Sequence, residues 1–422
     1  DDNALKNVDA AVAAGLPVAE FVGQKADRFA ELAGPLQLSY DDFIRTSTDV
    51  RHRPGVERLW RACAEAGDFY QRYYEALYCS GCEAFVALAD LSSGRCPEHG
   101  EAPELIAERN WFFRLSRYQE ALLELVESGR LHIEPQHRRN EVLAFVRSGL
   151  SDFSVSRAQE RARGWGIPVP DDPDQVIYVW FDALANYITA LGYGAGGAAY
   201  RDWWYESGDR VHVIGKGIIR FHAIYWPAIL LSARQPLPTT IFVHDSLTVE
   251  GQKLSKSIGS AIDPFWLVQR YGVDALRWWF LRDVPRNGDA DFREELLVAR
   301  ANELADGLGN LINRTIALVS RHGPEGVSQT TDRLAEAELI RARCSELPAA
   351  IDDALAELDL RGATAALWEA VAEANRFVSA TQPWKLAKAA RAGDRQASER
   401  SAAVLGALLG ACHVITSELR PF

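Results

Sequence analysis

Short apolar runs in the middle of the chain end in turns and give way to helix-forming sequence, and this pattern most constrains the fold. Val176-Ile177-Tyr178-Val179-Trp180-Phe181 has the length and composition of a buried strand and leads into a helix from Asp182. Val211-His212-Val213-Ile214 reads the same way, ends at Gly215-Lys216-Gly217, and is followed by a helix from Ile218 to Leu231. Thr240-Ile241-Phe242-Val243-His244 is a further strand-like run. Strand–turn–helix repeats of this kind predict an α/β fold with a doubly wound parallel sheet. Such sheets bind ligands at the carboxyl ends of their strands. Trp180, Asp182, Lys216 and His222 are therefore expected near one crevice, joined by the loop at Lys253 if its strand belongs to the same sheet.

The flanking sequence differs. Residues 1–34 have helix-forming composition, and Gly34-Pro35 breaks the pattern. Tyr40 to Thr46 reads as a loop into a short strand, and Arg53 to Gly67 as a helix. Asn110-Trp111-Phe112-Phe113-Arg114-Leu115 is an aromatic run expected in the core. Beyond Arg293 strand signals stop. Helical stretches cover Glu294–Val319, Ala335–Glu357, Arg361–Ala380 and Arg400–Leu419, with breaks at Gly323–Gly326 and Gln382-Pro383 and a kink or split expected at Pro348. This predicts an all-α bundle. Lys388 to Ser398 reads as a solvated connection or a frayed helix end. A chain of 422 residues with 48% hydrophobic and 25% charged residues is that of a soluble globular protein of several domains. Its net charge of −12 argues against unspecific binding to nucleic-acid backbone, though not against recognition through a local basic face. The apolar run Ala402–Thr416 is shorter than the ~20 residues of a membrane span and reads as a buried helix; no membrane partner is expected.

Two stretches carry chemistry. Cys79-Ser80-Gly81-Cys82 is followed after thirteen residues by Cys96-Pro97-Glu98-His99. Two knuckles, each with a glycine in or beside its turn, offer three thiolates and an imidazole, the set that holds one structural Zn²⁺ tetrahedrally with no open position. A metal-free dithiol is the alternative. Cys63, Cys344 and Cys412 stand alone in helical sequence and read as buried thiols. The second stretch is Gly251-Gln252-Lys253-Leu254-Ser255-Lys256-Ser257-Ile258-Gly259. Glycines admit close backbone approach, serines donate hydrogen bonds, and Lys253 and Lys256 supply point charges, which suits a polyphosphate. A solvated basic loop is the plain alternative.

Taken in order, these stretches resemble the class I aminoacyl-tRNA synthetases, and among them the bacterial methionyl-tRNA synthetases with one zinc knuckle. The likeness rests on Tyr40–Thr46, the knuckle, Asn110–Leu115, Ser156-Arg157, Trp165-Gly166-Ile167-Pro168 and Tyr178–Ala183. It continues through Gly215-Lys216, Phe221–Pro227, Lys253–Ser257, Gly272–Arg277, Leu308-Gly309-Asn310 and Gln382-Pro383-Trp384. The resemblance implies a Rossmann-like catalytic domain with an inserted zinc-knuckle connective domain and a C-terminal anticodon-binding bundle. The implied division is 1–72 and 149–240 for the two parts of the catalytic domain, 73–148 for the insert, 241–293 for the lysine-loop and stem-contact region, and 294–422 for the helical domain. It implies a cytoplasmic ligase that uses Mg²⁺-ATP to activate methionine, or a similar apolar amino acid, and passes it to tRNA; the oligomeric state stays open, with a monomer favoured. Lys253, Ser255, Lys256 and Ser257, with Gly215, Lys216 and His244, would bind ATP, and Lys253, Lys256 and Arg157 would act in catalysis. Asp1, Trp180, Ala183, Tyr187, Ile218 and His222 would bind the amino acid, with Asp1 on its ammonium group. Asn313, Arg314 and Trp384 would face the anticodon, where aromatic stacking reads splayed bases. Ordinary structural readings stand beside these: core packing for Trp180, a satisfied core histidine for His222, an ion pair for Arg157, a helix cap for Trp384.

Departures from the family pattern gather at the crevice. Asp1-Asp2-Asn3-Ala4 stands where the family has Asp-Glu-His-Gly. Gly217 replaces the aspartate of a Gly-Lys-Asp turn, Asp245-Ser246 follows His244 in place of Gly-Phe, and Ser260 replaces an asparagine. The family's H-x-G-H segment would lie before Asp1, so the sequence is expected to be part of a longer protein; it contains no methionine. Two other functions stay open on this pattern: a diverged paralogue that activates another amino acid or serves biosynthesis or resistance, and a catalytically inactive tRNA-binding protein.

Overall fold

The computed structural model describes residues 1–79, 81, 84–86, 88–97, 100–253, 262–322 and 334–422. They divide into two units, Asp1–Gly34 with Leu38–His244, and Pro35–Gln37 with Asp245–Phe422.

Within the first unit, Val211–Gly215 and Thr240–His244 form adjacent parallel strands as expected, with His132–Glu134 parallel on the other side of Thr240–His244. Ile241 and Val243 are fully buried in this sheet. The crossover between the two long strands contains a π-helical turn, Phe221–Tyr225, that runs into the helix Trp226–Ser232. The expected strand Val176–Phe181 is corrected. The strand is Asp172–Ile177, in a small antiparallel sheet with Ser156–Ala158 and Pro168–Val169, and the helix already begins at Val179 and runs to Thr189. Val179, Phe181, Ala183, Leu184, Ala185 and Ile188 are all buried, so the helix lacks the polar stripe that would have separated it from a buried strand.

The largest sheet among the described residues is antiparallel, in the order Ala84–Val86, Phe69–Cys79, Glu104–Phe113, Phe153–Ser154. Its Phe113 and Phe69 pack with Trp60 and Phe181, joining the aromatic run to the helix His52–Glu65 and to the Val179–Thr189 helix. The N-terminal stretch is two helices, Leu5–Ala14 and Val18–Ala30, because Gly15 adopts φ 68° and ends the first. Tyr40–Thr46 holds no strand. The Asp2 carboxylate fastens the far end of this loop, accepting from Arg45 (3.1 Å) and from the Ser47 hydroxyl (2.7 Å).

In the second unit, Leu247–Val249 pairs antiparallel with Gln252–Lys253 and parallel with Ala290–Phe292. The strand bearing Lys253 is thus not in the sheet of Val211–Gly215. Helices Glu294–Asn302, Asn310–His322, Glu338–Ala356, Leu360–Thr381, Pro383–Arg391 and Arg395–Leu419 follow, with a π-helical turn Glu303–Gly309 between the first two. The Glu338–Ala356 helix runs through Pro348 unsplit, its Cys344, Leu347 and Ile351 buried on one side. Lys388–Ser398 is mostly helical, the end of one helix and the start of the next, with a turn at Ala392–Asp394. The break at Gly323–Gly326 lies outside the described residues. Arg395–Leu419 is long and apolar enough to cross a membrane, but Val404, Leu405, Leu408, Ala411 and Ile415 are buried in the bundle core, as in a core helix.

Candidate active site

An open cleft of about 1190 Å³ in the first unit gathers Asp1, Arg157, Trp180, Ala183, Tyr187, Lys216, Ile218 and His222. Eight side chains named from the sequence therefore share one cavity. The Val179–Thr189 helix places Trp180, Ala183 and Tyr187 at spacings of three and four, on one face. The crossover after Val211–Gly215 brings Lys216 and Ile218 at its first turn and His222 on the π-helical turn.

The cleft's aromatic wall is built by pairs. Trp180 stacks on Phe221 at 3.9 Å between ring centroids and 7° between planes. Phe153 stacks on Tyr225 at 4.0 Å. His222 is buried and doubly bonded: its Nδ1 lies 3.0 Å from the Ile218 carbonyl and its Nε2 2.8 Å from the Tyr187 hydroxyl. A carbonyl only accepts, so Nδ1 carries the proton and Nε2 accepts from Tyr187. Burial pushes the His222 pKa below its ordinary value and raises the Tyr187 phenol to about 12. Both groups are neutral at physiological pH, and the wall holds no formal charge. Beneath Tyr187, the His212 ring packs at 4.0 Å and accepts from the Trp226 indole N–H at 3.2 Å; burial lowers its pKa to about 3. This neutral aromatic and aliphatic surface suits an uncharged, unbranched side chain such as a thioether.

Charge enters at the edges. Asp1 lies at the cleft and is exposed, and Lys216 reaches it from the end of its strand. Arg157 is almost fully buried. Its Nη1 donates to the Ser156 carbonyl (2.7 Å) and the Ser154 hydroxyl (3.0 Å), and its guanidinium lies 4.2 Å over the Tyr178 ring. Gly215 and His244 are register partners at the carboxyl ends of the two parallel strands, and a Cβ on Gly215 would touch the His244 ring at 3.5 Å.

Other expected site residues do not gather here. Asp182 is not in the cleft; it is buried behind it, bonded to His52 and Asn3. Lys253 is in the second unit, in a hairpin with Glu250 and Gly251 at φ 51° and 75° in its two-residue turn. Ser255, Lys256 and Ser257 lie outside the described residues. Asn313 and Arg314 are exposed on one helix, and Trp384, 48% exposed, sits in the first turn of another, in contact with it. Phe221, which completes the wall through Trp180, was not singled out from the sequence; its place beside His222 was the available sign.

Cys79 ends a strand and Cys96 opens a turn closed by the Gly100 N–H on the Cys96 carbonyl (2.8 Å). Both thiols are buried, at 1% and 2% exposure, and Cys96 borders the cleft. Cys82 and His99 lie outside the described residues. Two buried thiols, one opening a tight turn, fit a soft cation such as Zn²⁺. Among the described residues no three His, Cys, Asp or Glu side chains come together.

The family described as tRNA synthetases class I (M) matches residues 1–102 and 86–316. A methionine–tRNA ligase of Caldanaerobacter subterraneus subsp. tengcongensis is 40% identical over 378 residues, covering 89% of this chain and 58% of the relative. A methionine–tRNA ligase of Brucella suis is 40% identical over 396 residues, covering 92% of this chain and 75% of the relative. The chain thus spans about six-tenths to three-quarters of the length of these two relatives. Among solved structures, the Mycobacterium tuberculosis methionyl-tRNA synthetase in complex with methionyl-adenylate superposes with a TM-score of 0.92 at 35% identity, covering 100% of this chain and 82% of the other.

Proposed function

The chain belongs to the tRNA synthetases class I (M), and from that premise we propose that the full-length protein is a methionine–tRNA ligase. One observation carries the reading. A cleft walled by Trp180, Phe221, Ala183, Ile218 and the neutral Tyr187–His222 pair has a carboxylate, Asp1, and a cation, Lys216, at its edges. A free amino acid with an unbranched apolar side chain needs such a wall, with Asp1 as the partner for its ammonium group. Its carboxylate then points away from the wall, where ATP is to be met.

The reaction has two steps. The methionine carboxylate attacks the α-phosphate of ATP, which is bound with Mg²⁺, and pyrophosphate leaves with the broken P–O bond. The terminal ribose hydroxyl of tRNA next attacks the adenylate carbonyl, and AMP leaves. The protein supplies position and countercharge. Lys216 and the main chain at Gly215, with His244, serve the nucleotide; Lys253, Ser255, Lys256 and Ser257 serve the triphosphate. Arg157 acts through the main chain it braces at Ser154 and Ser156 beside the cleft, and lends positive potential to the phosphate side. Cys79, Cys82, Cys96 and His99 hold one Zn²⁺ that shapes the insert of residues 73–148, and Asn313, Arg314 and Trp384 read the anticodon. The remaining divisions are 1–72 and 149–240 for the catalytic domain, 241–293 for the lysine-loop region and 294–422 for the helical domain. The enzyme acts as a cytoplasmic monomer.

Pyrophosphate exchange on full-length protein, run with methionine and with each other amino acid, tests this. Methionine should exceed its nearest competitor by at least ~10-fold, the discrimination an apolar pocket achieves against a methylene. Exchange driven by a different amino acid identifies a paralogue, and exchange with none identifies an inactive tRNA-binding protein. Metal analysis should return about one equivalent of zinc per chain.

A further inference from the structure

We propose that Asn3, Asp182 and His52 are positioning residues that fix the Asp1 carboxylate relative to the aromatic wall of the cleft, an inference that rests on reading that cleft as an amino-acid site. Asp182 is 1% exposed. One oxygen is bonded to His52 Nε2, and the other accepts from Asn3 Nδ2 at 2.7 Å. On its far side, His52 Nδ1 lies 2.7 Å from the Thr189 hydroxyl.

Carboxylate, imidazole and hydroxyl stand in the order of a nucleophile relay. They cannot act as one. Thr189 is fully buried, and its methyl lies so near Gly55 that a Cβ there would come within 2.4 Å of it. A Cβ on Gly194 would in turn come within 2.8 Å of the Gly55 nitrogen. No reactant reaches a hydroxyl sealed in this way, so the network serves geometry.

It joins the two pieces of chain that furnish the proposed amino-acid site. One is the helix Val179–Thr189, which offers Trp180, Ala183 and Tyr187 to the cleft and Asp182 and Thr189 to the network. The other is the segment Asp1–Ala4, which precedes the first helix. Asp1 borders the cleft two residues before Asn3. Among the described residues this segment belongs to no strand or helix. Its carbonyls at Asp1 and Asp2 both accept from Asn7 at 3.0 Å, Trp165 Nε1 donates to the Asp2 carbonyl at 2.9 Å, and Ala4 packs on Tyr178 and Val179. The Asn3 to Asp182 hydrogen bond ties it to the wall helix itself. Bonds to a buried carboxylate are strong and directional. Asn3 further donates to the Thr46 carbonyl at 3.4 Å, so the same amide fastens the loop that Asp2 grips through Arg45 and Ser47.

A ligand that places its ammonium group on Asp1 and its side chain on Trp180 depends on that fixed separation. A ligand without the ammonium group does not. The test is Asn3→Ala in the full-length protein, followed by pyrophosphate exchange and by competitive inhibition with 4-(methylthio)butanoate, which is methionine without its amine. The KM for methionine should rise about tenfold, as for loss of one hydrogen bond to a charged group, while the KM for ATP and the inhibition constant of the analogue move by less than about twofold. Equal weakening of methionine and analogue, or an unchanged KM for methionine, overturns the proposal. Asn3→Ser, whose hydroxyl falls short of Asp182, is measured in parallel and gives the same split should the alanine variant not fold. If the unaltered protein supports no methionine-dependent exchange, the functional reading falls first, and the proposal with it.

Discussion

The Tyr187–His222 pair shows what a residue's surroundings add to its identity. From sequence, His222 was a pocket residue by resemblance and a core histidine by composition. It is buried and neutral, with its proton on Nδ1, and it lines the cleft. Tyr187→Phe leaves Nε2 without its donor and should raise the KM for methionine about three- to tenfold with little change in kcat, measured by exchange kinetics. His212, one layer deeper, predicts a pH effect. Its folded pKa of about 3 lies below the ordinary 6.5, so the unfolded chain takes up a proton that the folded chain refuses. The stability associated with neutral His212 is fully present above pH 6.5 and falls as the pH drops towards 3, by on the order of a few kcal/mol. His212→Gln, which retains an acceptor for the Trp226 indole, should flatten the difference between urea unfolding at pH 7 and at pH 4.5. An unchanged slope would show that His212 is not the group responsible. Of this layer only the residue types were legible. The tie from Asn3 to Asp182 spans 179 positions in sequence and leaves no local pattern.

At the scale of elements, the parallel pair Val211–Gly215 and Thr240–His244 was readable because β-branched runs bounded by turns have few alternatives. The strand-to-helix junction at Tyr178 was not. Six consecutive apolar residues fit a buried strand and a buried helix equally, and burial on all sides removes the alternation that would decide. Pro348 does not split its helix: packing of Cys344, Leu347 and Ile351 holds the helix together across the missing N–H. The hairpin that delivers Lys253 was invisible for want of a signal beyond Glu250-Gly251. Asp291 holds that turn, accepting from the Gly251 N–H (2.7 Å), the Thr248 hydroxyl (2.8 Å) and Arg293 (2.9 Å), and the Gly251 bond foremost keeps its carboxyl below the ordinary range. Asp291→Ala should abolish hydrogen-exchange protection at the Gly251 amide and raise the KM for ATP without altering that for methionine. In the parent protein the protection should persist at neutral pH and vanish only below the ordinary carboxylate range, because a lowered pKa gives stability that is lost as pH falls through it.

The molecule as a whole divides its work between two units with separate cores, one around Phe113, Phe181 and Trp226, the other around Leu367, Val404 and Leu408. The composition change after Arg293 made the helical part legible; the extent of the first unit was less so, because its largest sheet is antiparallel and stems from the aromatic run and its partner strand. If Trp384 stacks on an anticodon base, Trp384→Ala should raise the KM for tRNA in aminoacylation by ~10-fold or more, the worth of one base–aromatic stack, and leave pyrophosphate exchange untouched. Parallel loss in both assays would place Trp384 in the bundle's structure instead. The meeting of Gly55 and Gly194 under Thr189 bears on redesign. If the cleft takes an amino acid as proposed, a library meant to admit bulkier side chains has its freedom at Ala183, Ile218 and Trp180, which line it. At positions 55 and 194 a single added carbon would run into Thr189 and into the Gly55 main chain, so these tight contacts, which lie outside the cleft lining, are best left as wild type while the lining itself is recut.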